Sequence, residues 1–170
     1  MKNFKEFISS YSDFPKKGII FRDTLKILQY PEVFNDLISR MSNTDIVRNA
    51  DAILAIDARG FIFGTAISLK ASKPMIVARK AGKLPGELIS QEYSLEYGKD
   101  TLSLQENSLH AFKSFAIVDD LIATGGTVKS VVKLLKSKNK SITGLVIAVE
   151  LDELNARKQL SFPVYSQIKW

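Results

Sequence analysis

Four short, largely apolar runs, each stopped by a charged residue, constrain this chain more than any other feature. They are Ala52-Ile53-Leu54-Ala55-Ile56 before Asp57, Met75-Ile76-Val77-Ala78 before Arg79, Phe115-Ala116-Ile117-Val118 before Asp119 and Asp120, and residues 142–149 before Glu150. Runs of this length without polar alternation read as strands buried on both faces. Helical patterns lie between and around them. Residues 32–42 put Val33, Phe34, Leu37, Ile38 and Met41 on one face, and Gly60 to Ala71 carries small residues on one side. Thr127 to Ser137 spaces Val128, Val131, Val132 and Leu135 at i, i+3, i+4 and i+7. Buried strands alternating with helices predict an α/β chain with a central, mostly parallel sheet and helices on both faces. Such sheets bind ligands beyond the carboxyl ends of their strands. Asp57, Arg79, Asp119 and Glu150 are therefore expected along one edge.

Length and composition narrow what that edge can do. The 170 residues allow one domain with a full core, and no repeat, low-complexity tract or linker divides them, so a single domain over 1–170 is expected. Cysteine is absent, which excludes disulfides, thiolate metal sites and cysteine nucleophiles. A Ser-His-Asp triad would have to rest on the one histidine, His110, which lies in a polar connection and fits a surface position. The charged start, Met1 to Glu6, lacks the apolar core of a signal peptide, and no run has the length to span a bilayer. A cytoplasmic chain with no membrane partner is expected. Twenty-four Lys and Arg against eighteen Asp and Glu give a formal charge of +6, which suits a polyanion, either nucleic acid or a phosphorylated small molecule. Lys129, Lys133, Lys136, Lys138 and Lys140 crowd one helix and the turn after it, as a solvated face with a basic last turn would. No zinc-finger or aromatic RNA-binding motif accompanies them, so no nucleic-acid partner is expected.

The remaining segments are less regular. Residues 3–10 fit a short amphipathic helix, and Phe14 to Gly18 a turn. Over 92–105, Tyr93, Leu95 and Tyr97 alternate with polar residues, as do Leu102 and Leu104 after Gly98-Lys99-Asp100. This predicts an antiparallel hairpin turning at Gly98-Lys99-Asp100. With the irregular Ala81-Gly82-Lys83-Leu84-Pro85-Gly86 before it, a mobile flap over about 80–105 is expected.

The chemistry concentrates in Asp119-Asp120-Leu121-Ile122-Ala123-Thr124-Gly125-Gly126-Thr127. A buried strand runs into two acids, then a Thr-Gly-Gly-Thr turn, then a helix. Glycines let backbone N–H groups close on a phosphate, and the helix aims its unpaired N–H groups and positive dipole end at the same place. Thr124 and Thr127 add hydroxyl donors, and the paired carboxylates suit the vicinal hydroxyls of a ribose. A helix cap and tight turn would account for one threonine and one glycine, but not for paired acids ending a buried strand. A Walker loop is excluded, because Thr127 stands where its lysine would follow the last glycine.

This segment resembles the phosphoribosyl-pyrophosphate signature of type I phosphoribosyltransferases. The rest of the chain resembles one branch, the adenine phosphoribosyltransferases, in order from about Asp13 to Leu160. Asp13 to Asp23 is similar to the branch's N-terminal segment over the purine, a small hood. Ala55 to Gly64 is similar to its pyrophosphate loop, and Arg79 to Gly86 with Tyr93 to Lys99 to its flap. Val149-Glu150-Leu151 and Arg157 are similar to its final purine-side segment. Three positions depart from the pattern. Ala58 stands for a common serine and Ala81 for a larger residue, while Ala156, in Asn155-Ala156-Arg157, stands for a glycine whose tight conformation is thereby in doubt.

The resemblance implies a reaction of adenine with 5-phosphoribosyl 1-pyrophosphate to give AMP and pyrophosphate, with substrate-bound Mg²⁺, in a homodimer. It also implies residue roles. Asp119 and Asp120 with Ala123, Thr124, Gly125, Gly126 and Thr127 hold the ribose 5-phosphate. Asp57, Ala58, Arg59, Gly60, Arg79, Lys80 and Lys83 face pyrophosphate, with a cis peptide between Asp57 and Ala58. Ile20, Phe21, Arg22 and Leu151 take the adenine, and Glu96 manages its protons. The same residues have plainer uses: Lys80 as a surface cation, Glu96 on the polar face of a hairpin, Phe21 and Leu151 as core. No direct protein ligand of the metal is implied. A 6-oxopurine or orotate enzyme, or a regulatory protein that binds the sugar phosphate without turnover, shares the central signature.

Overall fold

A computed structural model describes residues 3–95 and 98–170. Phe4–Phe7 forms a 3-10 turn, followed by strands β1 (Ser9–Ser12) and β2 (Ile20–Asp23). After a 3-10 turn over Leu25–Gln29 come helices α1 (Pro31–Ser42) and α2 (Asp45–Arg48), then β3 (Ala52–Ile56), α3 (Gly60–Ala71) and β4 (Met75–Lys80). Next are β5 (Leu88–Leu95), β6 (Gly98–Gln105), β7 (Ser114–Ile122), α4 (Gly126–Ser137), β8 (Ser141–Glu150) and β9 (Val164–Lys169).

One sheet has seven strands in the order β5-β6-β4-β3-β7-β8-β9, and β1 pairs with β2 separately. From β4 to β9 the neighbours run parallel, while β6 is antiparallel to both β4 and β5. This is the expected α/β architecture, with a hairpin on one edge and a small antiparallel hood.

The lack of alternation in the central strands has a direct cause. All five residues of β3 are buried. Successive side chains of a strand point to opposite faces, and both faces here are covered. On one side Ile53, Val118 and Val146 meet Leu37 and Met41 of α1 and Phe63 and Ile67 of α3. On the other, Leu54, Ile117 and Leu145 meet Val128, Val131 and Leu135 of α4. The small residues of α3 bring it close to the sheet: a Cβ on Gly64 would stand 2.5 Å from that of Ala55. Among the described residues no helix is long and apolar enough to cross a membrane.

Two expectations are corrected. Residues 3–10 form a 3-10 turn and the start of β1, because Ser9 and Ser10 pair with Asp23 and Arg22 instead of continuing a helix. Gly98-Lys99-Asp100 is not the hairpin turn; these residues pair with Leu95, Ser94 and Tyr93 within the ladder. The hairpin base is also part of the main sheet, since Arg79 and Lys80 pair with Ser103 and Leu102, and Leu102, Leu104 and Tyr93 are buried. Strand β9 was not foreseen; its residues are mostly half-buried and carry no continuous apolar run.

Candidate active site

The end of β7 builds the center of the site. Asp119 and Asp120 are consecutive in an extended strand, so they face opposite ways. Asp119 lines a cavity of about 830 Å³, and its Oδ1 accepts from the Asp120 N–H at 2.8 Å. Burial, and then the charge of Asp120, hold the Asp119 carboxyl well above the usual carboxylate range. Asp120 is buried at 4% exposure and does not line the cavity. Its Oδ2 accepts from Thr24 Oγ1 at 2.7 Å and pairs with Arg59 Nε at 3.0 Å. Thr24, fully buried, had no signal in the sequence, because 96 residues separate it from its partner.

Ala123, Thr124, Gly125, Gly126 and Thr127 all line the same cavity and lead into α4. Gly125 turns the chain at φ +81°, a conformation that L side chains rarely adopt. The left-handed conformation that the sequence pattern placed near Ala156 falls on Asn155 instead, at φ 53°. This leaves Ala156 free to pack, 2% exposed, beneath the loop.

Ile20, Phe21 and Arg22 of β2 line the cavity from the hood, and Leu151, just past β8, lines it as well. Pro15, from the segment similar to the family's hood over the purine, joins them, as do Glu153 and Leu154, which carry no signal of their own in the sequence. Phe21 meets Phe14 edge-on at 5.1 Å between centroids, and the Arg59 guanidinium lies 5.1 Å from the center of the Phe21 ring.

The residues assigned to pyrophosphate separate. Arg59 lines the cavity; Asp57, Ala58, Gly60, Arg79, Lys80 and Lys83 do not. The Asp57–Ala58 peptide is cis, as is Phe14–Pro15. Gly60 lies so close to β7 that a Cβ there would stand 2.8 Å from Asp119 Oδ1, so this glycine lets the loop reach the acid. Arg79 Nε pairs with Asp57 Oδ2 at 3.1 Å, and Lys80 Nζ with Asp100 Oδ2 at 3.2 Å. The hydrogen bond to Asp100, and then its charge, raise the Lys80 pKa. Lys83 is exposed, and its carbonyl accepts from Arg79 at 3.5 Å. Glu96 lies outside the described residues.

Glu150, expected along the same edge, does other work. It is 2% exposed and does not line the cavity. Arg157 donates to its two oxygens at 2.8 and 2.5 Å, and Ser166 Oγ donates at 2.5 Å. The Arg157 hydrogen bonds lead in holding its pKa below the ordinary value. The basic helix is likewise engaged: Lys129 bonds Gln159, Lys138 pairs with Glu106, and Lys140 donates to Phe112 O at 2.8 Å.

Residues 24–169 match the phosphoribosyl transferase domain family. An adenine phosphoribosyltransferase of Prochlorococcus marinus is 58% identical over 166 residues, covering 98% of each chain. The crystal structure of an adenine phosphoribosyltransferase from Thermoanaerobacter pseudethanolicus superposes with a TM-score of 0.92 at 38% identity, covering 98% of each chain. That of the Saccharomyces cerevisiae enzyme, complexed with adenine and an imino-altritol bisphosphate, gives 0.85 at 34% identity, covering 96% of each.

Proposed function

The chain belongs to the adenine phosphoribosyltransferase family, and on that premise we propose that its cavity joins adenine to 5-phosphoribosyl 1-pyrophosphate, giving AMP and pyrophosphate in purine salvage. One observation carries the site assignment. A threonine–glycine loop at the start of a helix, the Asp119 carboxyl that ends the buried strand and two apolar walls open onto the same cavity.

The loop from Ala123 to Thr127 takes the 5-phosphate with backbone N–H groups, threonine hydroxyls and the positive end of α4. Asp119 accepts from the ribose hydroxyls, and Asp120 fixes Arg59 beside it. N9 of adenine attacks C1 of the ribose as the bond from C1 to the pyrophosphate oxygen breaks. Positive charge builds on the sugar and negative charge on the leaving group. Asp120, and Asp119 as the growing positive charge draws its raised pKa back down, favor the first; Arg59, Arg79, Lys80, Lys83 and the backbone of the loop from Asp57 to Gly60 favor the second. In the described arrangement Arg59, Arg79 and Lys80 are each paired with an aspartate, so a polyanion would recruit them by exchanging partners. Glu96 is assigned the proton leaving the base.

Phe21 and Leu151 stack on the two faces of the purine. Strand β2 is paired on one edge only. The C=O of one residue and the N–H two residues on share an edge of a strand, so Ile20 O and Arg22 N offer an acceptor and a donor side by side. That pair matches the amino group and N1 of adenine.

Among the described residues no three acidic or histidine side chains cluster to hold a metal. The residues present would fit a Mg²⁺ that enters bound to the substrate and keeps its waters, with the cavity-lining Asp119 available to hold it. Bound there, it would supply positive charge against the leaving pyrophosphate. A homodimer is part of the proposal, supported by the exposed Tyr11, Phe14, Leu25 and Tyr30 of the N-terminal layer. A cytoplasmic setting goes with it, since a polyanionic sugar phosphate does not cross bilayers unaided.

The test is nucleotide formation from phosphoribosyl pyrophosphate with adenine, hypoxanthine, guanine and orotate in turn. AMP, with one pyrophosphate per turnover, is expected. Another nucleotide would reassign the base, and binding without turnover would make the chain a sensor.

A further inference from the structure

Trp170, the single tryptophan, meets Arg22 of one cavity wall and the backbone on either side of Leu151 of the other, without lining the cavity itself. The Arg22 guanidinium lies 4.6 Å from its ring centroid and the Lys5 ammonium 5.1 Å. Its backbone N–H donates to Glu150 O at 2.9 Å, and its carbonyl accepts from Asp152 N at 2.6 Å. Glu150 and Asp152 flank Leu151 on one wall, and Arg22 follows Phe21 on the other.

Each end of this bridge is anchored. Glu150 is buried and bound by Arg157 and Ser166. Arg22 also donates to Ser10 Oγ at 2.5 Å, which holds its side chain between the hood and the Trp170 ring. The hood is a two-stranded sheet, and an isolated pair of strands is marginal without outside support. A cation over an indole face is the strongest form of that contact. The residue that braces the hood is therefore the one whose backbone grips the segment around Leu151.

We propose that Trp170 is a positioning residue that sets the spacing between Phe21 and Leu151, and with it the fit of the purine. This rests on the adenine site described above. Lys5 and Arg22, the cations over the Trp170 ring, are not among the groups assigned to the sugar phosphate, so the effect should fall mainly on one substrate.

The experiment measures kcat and separate KM values for adenine and phosphoribosyl pyrophosphate in wild type, Trp170→Ala, Trp170→Leu and Trp170→Phe. Losing a cation–aromatic contact should raise the adenine KM about three- to tenfold in the Ala and Leu variants. KM for phosphoribosyl pyrophosphate should stay within about twofold. Phe, which restores an aromatic face, should recover most of the loss. If Trp170→Ala does not fold, the Leu and Phe variants carry the comparison. Unchanged adenine KM, a parallel rise in both constants, or Leu performing as well as Phe would overturn the clamp. A wild type that turns over adenine while the variants match it refutes the clamp alone; a wild type that ignores adenine refutes the site assignment and the clamp together.

Discussion

Asp119 and Asp120 are neighbors in sequence with different surroundings, and the difference follows from strand geometry. One carboxylate faces the cavity; the other is buried against Thr24 and Arg59. The sequence announces two acids but not which one faces the substrate, because the partner of Asp120 lies far away in the chain. Asp119→Asn should lower kcat more than it raises KM, by about ten- to a hundredfold, since a charge-assisted contact is worth about 1.5–3 kcal/mol and this one grows in the transition state. Asp120→Asn should also cost stability, about 1–3 kcal/mol, through its buried hydrogen bond. Steady-state kinetics and thermal unfolding of the two variants check this; an Asp120 variant that loses kcat but no stability would return both acids to the substrate. Glu150 offers a second residue-scale test. Its pKa is lowered on folding, so its ion pair stabilizes above the unfolded value of 4.5 and loses that effect as pH falls through the lower folded value. Arg157→Gln should cost about 3 kcal/mol at neutral pH, the low end for a broken buried pair because the Arg157 side chain is 37% exposed. The deficit should shrink in acid as the stranded Glu150 takes a proton. Urea unfolding at several pH values reads it, and a deficit independent of pH would remove Glu150 from the explanation.

Among the elements, those buried on both faces were legible and those at the edges were not. The continuous apolar runs of β3, β7 and β8 and the helical spacing of α1, α3 and α4 carry their own signal, because burial dictates residue type at most positions; β4 has an apolar run too, but only its Ile76 and Ala78 are buried, so it lacks the expected cover on both faces. Strand β1 is mostly exposed and β2 and β9 mostly half-buried, so burial does not dictate their residue types, and the pairing of β9 is set by β8. The hairpin was recognized by alternation, but its turn was misplaced. Gly98 and Asp100 have turn chemistry, yet Asp100 is held in the ladder opposite Tyr93 and pairs with Lys80. The loop from Ala123 to Thr127 was the most legible part of the site, since glycine and threonine before a helix have a direct physical use. For this element, Thr124→Ala should weaken phosphoribosyl pyrophosphate binding by about ten- to a hundredfold, the value of a hydrogen bond to a charged group. Gly126→Val should weaken it at least as much by placing a branched side chain against the phosphate. Calorimetry on the folded variants measures it; unchanged affinity would move the phosphate site elsewhere.

At the scale of the whole molecule, a single sheet brings the site together. Parallel strands deliver the acid pair, the loop from Ala123 to Thr127 and the loop from Asp57 to Gly60 to one edge, and the separate hood supplies the cavity wall proposed for the base. The central claim is that this wall reads adenine with backbone groups of β2 over the Phe21 platform. Hypoxanthine presents a carbonyl and, usually, an N1 proton where adenine presents an amino group and an acceptor, so both hydrogen bonds would reverse. A site built to hydrogen-bond its substrate rejects such a mismatch by roughly 10⁴-fold. Side-chain changes cannot reverse a preference held in the main chain, but removing the platform should cost about 1–3 kcal/mol of stacking. The most direct measurement is kcat/KM for adenine and hypoxanthine in wild type and in Phe21→Ala, beside the affinity of each for phosphoribosyl pyrophosphate. Wild type should strongly prefer adenine, and Phe21→Ala should use adenine about ten- to a hundredfold less well while keeping that preference and binding the sugar phosphate normally. Comparable wild-type values for the two bases, or a Phe21 variant with unaltered adenine kinetics, would contradict the account.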